Sequence, residues 1–162
     1  LKINKKSFLK SMRSFKGLPH RFEIFLKKKN IVFINDSKAT TFKAAQSALS
    51  SLKNIYWILG GIPKKGDKLQ FLNSKKNIIK CYLIGKSVNY FKNQLKDKID
   101  YEITKNLKNT ILKILKDCKS LNKVNKSILF SPAAASFDQF NNFEHRGDEF
   151  KKIIRQYAGK FN

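Results

Sequence analysis

"IIKCYLIG", residues 78–85, carries one charge in eight positions and runs straight into Lys86, Ser87 and an amphipathic stretch in which Val88, Phe91 and Leu95 recur at helical spacing. A short, almost wholly apolar run is what a strand buried on both faces requires, and such strands belong to parallel sheets covered by helices. The same grammar repeats outward from this point. "NIYWILGG" (54–61) is a second buried strand, "SILFS" (127–131) a third, and a short strand is expected near Ile99–Ile103. "RFEIFL" (21–26) and "NIVFIND" (30–36) read as two strands joined by a turn at "KKKN" (27–30).

Helices are expected between the strands. The first runs from about Thr41 to Leu52, with Phe42, Ala45, Leu49 and Leu52 on one face; Ser87 is placed to cap the second. A short helical piece is expected near Leu69–Leu72. A longer helix carries Leu107, Ile111, Ile114, Leu115 and Cys118 as a stripe, and the last, from about Asn142 to Tyr157, turns Phe143, Phe150, Ile154 and Tyr157 inward. Alternating strands and helices predict an α/β domain, a three-layer Rossmann-like arrangement in which an open, mostly parallel sheet has helices on both faces. Residues 1–18 are expected to be a linker or the end of a preceding domain, because Phe8, Met12 and Phe15 follow helical spacing until Gly17, Leu18 and Pro19 stop it. The domain itself is expected over residues 19–162, and a chain opening on Leu1 reads as a piece of something longer.

Composition narrows the function. The net charge of +24 invites a polyanion partner, but only Arg13, Arg21, Arg146 and Arg155 are arginines and the lysines are scattered through every segment. A nucleic-acid face favours the planar arginine fork, so solvated lysines are the preferred reading and a basic binding module the alternative. Cys81 and Cys118 read as small buried hydrophobes in a reducing compartment. His20 and His145 lack ligand spacing, and no metal site is expected. No apolar run reaches the ~20 residues of a membrane span, and a cytoplasmic, monomeric protein is expected.

In sheets of this kind ligands bind beyond the carboxyl ends of the strands. Those ends deliver "NDSKATT" (35–41), "GGIPKKG" (60–66), "GKS" (85–87) and "SPAAASFDQF" (131–140). "GKS" imitates a phosphate-binding loop, yet the glycine required five positions earlier is Lys80, so no cradle of backbone N–H groups forms. Asp36 and Lys38 place an acceptor and a cation on one rim, and Thr40 or Thr41 caps the next helix, turning its N–H groups toward a bound anion; both also fit plain turn and cap chemistry. The run 131–147 is almost free of lysine. Its small residues permit close backbone approach, and Asp138 and Glu144 fit either caps of the final helix or an acid/base pair.

"GLPHRFE" (17–23), "FINDSKAT" (33–40), "ILGG" with Lys64, "YLIG" (82–85) and "SPAAASFDQFNNFEHRGDEF" (131–150) resemble, in order, the C-terminal domain of the D-glutamate-adding Mur ligases. The resemblance implies a three-domain ligase of peptidoglycan synthesis. ATP phosphorylates the carboxylate of UDP-N-acetylmuramoyl-L-alanine, the amine of D-glutamate attacks the acyl phosphate, and phosphate leaves. The phosphate loop, Mg2+ and the uridine nucleotide belong to other domains, so the fragment alone is expected to be inactive. It implies that Lys64 pairs with a D-glutamate carboxylate and that Thr40, Ser136, Phe137 and Phe143 line the same site. His20, Arg21, Asp36 and Lys38 would contact ATP. Ala134 replaces the family's usual Cys, and Ile62 stands where some members have Asp. Another Mur-type or folylpolyglutamate-type ligase is the nearest alternative.

Overall fold

The computed structural model describes residues 4–15, 17–70, 74–119 and 124–161. Among them, in chain order, are α1 (Lys5–Ser14), β1 (Glu23–Lys28), β2 (Ile31–Asn35), α2 (Phe42–Ser51), β3 (Ile55–Gly60), β4 (Ile78–Ile84), α3 (Val88–Leu95), β5 (Tyr101–Lys105), α4 (Leu107–Lys119), β6 (Lys126–Phe130) and α5 (Phe143–Tyr157). The strands form one sheet in the order β1-β2-β6-β3-β4-β5. Only the β1–β2 pair is antiparallel, and the other four pairs are parallel.

Alternation along the strands sorts the core into two layers. Ile34, Trp57, Leu59, Cys81, Leu83 and Leu129 face α2 and α3, meeting Phe42, Ala45, Leu49, Phe91 and Leu95. Phe33, Tyr56, Ile58, Tyr82, Ile128 and Phe130 face α4 and α5, meeting Leu107, Ile111, Ile114, Phe150 and Ile154. β3 and β6 are buried along their whole length, as central strands between two helical layers must be. Each large side chain so covered contributes about 1.5–3 kcal/mol of transfer free energy. The expected α/β architecture with helices on both faces is the one observed.

The differences are local. β5 begins at Tyr101 rather than Ile99, because the N–H groups of Lys98 and Ile99 both turn back to the Leu95 carbonyl. Ser87 precedes α3, but its side chain makes no capping hydrogen bond. The helical piece expected near Leu69–Leu72 falls partly outside the described residues; Leu69 and Gln70 are not helical, and a 3-10 turn follows at Lys75–Asn77. α1 is capped by Asn4, whose side chain accepts from Lys6 N–H, and buries none of its residues, leaving Phe8, Met12 and Phe15 more than half exposed. No helix among the described residues is long and apolar enough to cross a membrane.

Lys80, the residue that spoils the phosphate-loop pattern, is a half-buried ion-pair member. Its ammonium lies 2.8 Å from Glu102 and 2.9 Å from Asp117, and the Tyr82 hydroxyl donates to Asp117 at 2.7 Å. Both cysteines are free and buried, in opposite layers. Burial pushes the Cys118 thiol up to about 12, which makes it unreactive.

Candidate functional site

The strand order sets the site, because β6 lies between β2 and β3 and its outgoing segment runs between theirs. Ala133 N–H donates to the Ala39 carbonyl at 2.9 Å on one side, and Gly60 N–H donates to Pro132 at 2.9 Å on the other. Ile62 and Ala135 then exchange two hydrogen bonds of 2.9 Å in an isolated antiparallel bridge. Gly61 makes this approach possible: its φ is +130°, and a Cβ there would lie 2.2 Å from the Ala135 carbonyl oxygen. Ile62 takes part in this bridge through its backbone alone.

Three of the expected ligands therefore sit on neighbouring, mutually bonded loops. Thr40 follows Ala39, Ser136 follows Ala135, and Lys64 stands two residues beyond Ile62. Lys64 is exposed, Thr40 half-buried and Ser136 buried, with the Ser136 carbonyl accepting from Gln139 and Phe140 N–H. Phe137 is 71% exposed. Phe143 opens α5, and the Lys38 ammonium rests 3.7 Å above its ring centre, a cation–π contact that joins the NDSKAT loop to α5.

A cleft of about 460 Å³ adjoins that loop, lined by Arg21, Phe22, Asp36, Lys38 and the small residues of α2. Asp36 forms part of its wall with both oxygens engaged: Phe22 N–H donates to one at 3.1 Å and the Ser131 hydroxyl to the other at 2.7 Å. Burial raises its pKa, against the opposing pull of those two donors and the Arg21 charge. Arg21 is held between His20 and Phe22, two non-glycine residues at φ +61° and +46°. Such conformations cost about 1–3 kcal/mol each and cluster at ligand sites.

His20 stands apart from this cleft. Its ring is 7% exposed, lies 3.0 Å from the Asn35 amide and packs edge-on against Phe143. Its part in the cleft is through the backbone, whose carbonyl accepts from Lys38 N–H at 3.0 Å.

Two readings that the sequence left open are decided by hydrogen bonds. Thr41 caps α2 by accepting from Ala44 N–H at 3.2 Å, while Phe42 N–H donates to the Asp67 carboxylate at 2.8 Å. The anion at the start of α2 is thus supplied from within the chain. Nor do Asp138 or Glu144 cap α5: Asn142 does, accepting from His145 N–H at 2.7 Å, and Asp138 accepts from Lys86 N–H at 2.9 Å.

Sequence reasoning missed Arg146. It is 1% exposed, and its guanidinium donates to the Ser37 hydroxyl at 3.0 Å, the Ser37 carbonyl at 2.8 Å and the Ala134 carbonyl at 3.0 Å. The Ser37 hydroxyl passes the chain on to the Phe143 carbonyl at 2.8 Å. One side chain thereby fastens α5 to both the NDSKAT and SPAAAS segments. Burial lowers its pKa to about 10, still far above neutral pH, so the charge stays. The available signal was that it is one of only four arginines in a chain whose cations are mostly lysine.

No protein-family model matches the chain. Curated proteins do. It is 41% identical over 148 residues, 91% of its length, to the UDP-N-acetylmuramoylalanine–D-glutamate ligase of Nitrobacter hamburgensis. It is 42% identical over 157 residues, 97% of its length, to the enzyme of that name from Rhizobium meliloti, and 38% identical over 162 residues, 99% of its length, to that of a Wolbachia of Brugia malayi. The chain spans about a third of the length of these relatives (32%, 34% and 32%).

Proposed function

The chain belongs to the D-glutamate-adding Mur ligases, matching their C-terminal domain, and from that premise we propose that it is the amino-acid-binding domain of a cytoplasmic, ATP-dependent ligase of peptidoglycan synthesis. The ligase joins D-glutamate to UDP-N-acetylmuramoyl-L-alanine. The observation that carries the reading is the convergence of the Thr40, Lys64 and Ser136 loops, fastened to one another by backbone bonds beside a cleft that displays Arg21 and Lys38.

Each residue then has a chemical task. The Lys64 ammonium neutralises one carboxylate of D-glutamate, Thr40 and Ser136 offer hydroxyls to the other polar atoms, and Phe137 and Phe143 shield the methylene chain. Arg21 and Lys38 face ATP phosphates across the cleft, with Asp36 fixing the walls on which they stand. ATP supplies the phosphoryl group that activates the acceptor's carboxylate, and the D-glutamate amine displaces it as phosphate. Among the described residues no group of three or more His, Cys, Asp or Glu is arranged to hold a metal ion, and both Asp36 oxygens are engaged. The described donors therefore do not fit a Mg2+ cage of their own; in this proposal the ion travels with ATP and the other domains.

A Lys64→Ala substitution in the ligase carrying this domain tests the reading. The KM for D-glutamate rises about tenfold or more while that for ATP stays within about twofold, and D-glutamate remains preferred over L-glutamate at constant ionic strength. Equal effects on both constants, or binding of random duplex DNA that falls steeply with salt and outcompetes the amino acid, would overturn it.

A further inference from the structure

We propose that Asp67 is a positioning residue for the amino-acid site, the side chain that sets the distance between the Lys64 turn and Thr40. The proposal rests on the reading of Lys64 and Thr40 just given. The Lys64–Asp67 segment is a tight turn closed by Asp67 N–H donating to the Lys64 carbonyl at 3.1 Å. Gly66 stands at its third position with φ +77°, the value a type II turn demands there. The turn is exposed and has no side-chain core of its own. What holds it is at its two ends: the Ile62–Ala135 bridge on one side and Asp67 on the other.

Asp67 makes the second attachment twice. Its carboxylate accepts from Phe42 N–H at 2.8 Å, in the first turn of α2, where a negative charge gains from the helix dipole and the bond is charge-assisted. Its carbonyl accepts from the Tyr90 hydroxyl, and the Tyr90 and Phe42 rings stack at 6.3 Å with an interplanar angle of 22°. Phe42 lies two residues from Thr40, and Asp67 three from Lys64. The backbones bearing the two ligands are thus joined through one carboxylate. That carboxylate also occupies the α2 N–H which a substrate anion could otherwise use, leaving Lys64 as the charge partner.

The test is steady-state kinetics in the ligase carrying this domain, with Asp67→Ala, Asp67→Asn, Tyr90→Phe and Lys64→Ala compared. Loss of a charge-assisted bond in Asp67→Ala raises the KM for D-glutamate about tenfold, with KM for ATP and kcat within about twofold. Asp67→Asn keeps an acceptor at the same place and returns the constant to within about threefold of the parent. Tyr90→Phe produces a smaller rise in the same constant. If Lys64→Ala raises the KM for D-glutamate but Asp67→Ala does not, or raises ATP and D-glutamate constants together, the positioning role is wrong. It is equally wrong if Asn is as impaired as Ala. If Lys64→Ala itself leaves D-glutamate binding unchanged, the reading of the site fails, which the parallel measurement separates from failure of Asp67.

Discussion

Replacing Arg146 by Met is expected to cost about 3–5 kcal/mol, within the range for stranding two buried acceptors. The magnitude follows from what the guanidinium leaves behind. Ser37 and Ala134 are both fully buried, so the two carbonyls that accept from Arg146 at 2.8 and 3.0 Å lose their donor without gaining water. Each stranded acceptor costs about 1–3 kcal/mol. Methionine fills most of the volume and removes the desolvation cost of the charge, which offsets part of the loss. For a domain of this size, stable by about 5–15 kcal/mol, the result is a large fraction of the total.

Arg146→Lys keeps the charge but lacks the fork, so it can serve one acceptor at a time and is expected to cost about 2 kcal/mol. Urea unfolding followed by circular dichroism gives the totals, and amide hydrogen exchange locates them: protection should fall at residues 37–40 and 131–136 before it falls in β3. A second substitution, Ser37→Ala, should cost less in the Arg146→Met background than in the parent, because the two share one network. A loss below about 1 kcal/mol, or a loss spread evenly with no local exchange, would refute the view of Arg146 as the fastener of the two loops.

Three other outcomes follow from the same structure. Asp36 has a folded pKa raised by burial, so its contribution to stability is greatest below its unfolded value and falls as pH rises, leaving the ionised form a cost at neutrality. Asp36→Asn, which can still accept from Phe22 and bond Ser131, should raise the melting temperature at pH 7 by about 2–4 °C, with the gap closing near pH 3; a lower melting temperature at pH 7 contradicts this. Glu102 and Asp117 are the opposite case. Burial alone would raise them, but bonds from Lys80, with Lys113 on Glu102 and Tyr82 on Asp117, hold both below the usual carboxylate range. Their stabilisation is present above the unfolded values and is lost as pH falls below about 4, so urea midpoints at pH 3 and 6 should differ less in Lys80→Met than in the parent. Gly61→Ala forces a Cβ to 2.2 Å from the Ala135 oxygen at φ +130°; about 2–3 kcal/mol of destabilisation is expected, with early exchange of the Ala135 amide by NMR.

What could be read from the linear chain was whatever depends on periodicity. The uninterrupted apolar run of β3 and the stripe on α4 are enforced by burial on defined faces, and local composition records that directly. The Ile99 boundary failed because Ile99 is apolar for a tertiary reason, packing against the α2–α3 layer from a turn. Thr41 does cap α2, but the cap assignments at α3 and α5 failed for a related cause. Asp138 and Glu144 lie close to α5 in sequence, but a cap depends on which carboxylate reaches which N–H in space, and Asp67, twenty-five residues beyond Phe42, could not be found by local spacing.

The same distinction resolves the tension between a net charge of +24 and a closing segment, residues 131–147, without lysine. A lysine on the surface keeps its ammonium hydrated on a flexible stem and imposes no geometry on its neighbours. The cations that shape this region are those with fixed partners: buried Arg146 across two loops, half-buried Lys80 between two carboxylates, and half-buried Lys38 against the Phe143 ring. Arg146 must present several donors in one plane to acceptors on different segments, which the guanidinium does and an ammonium does not. Formal charge therefore says little about the site, whereas the few cations whose partners are fixed determine the positions of Ser37, Ala134 and the residues beside them. A lysine-poor run is what such a site requires. Small residues let Ile62 and Ala135 pair backbone to backbone, and a long, hydrated side chain at Ala133 or Ala134 would prise apart the loops that Arg146 holds together.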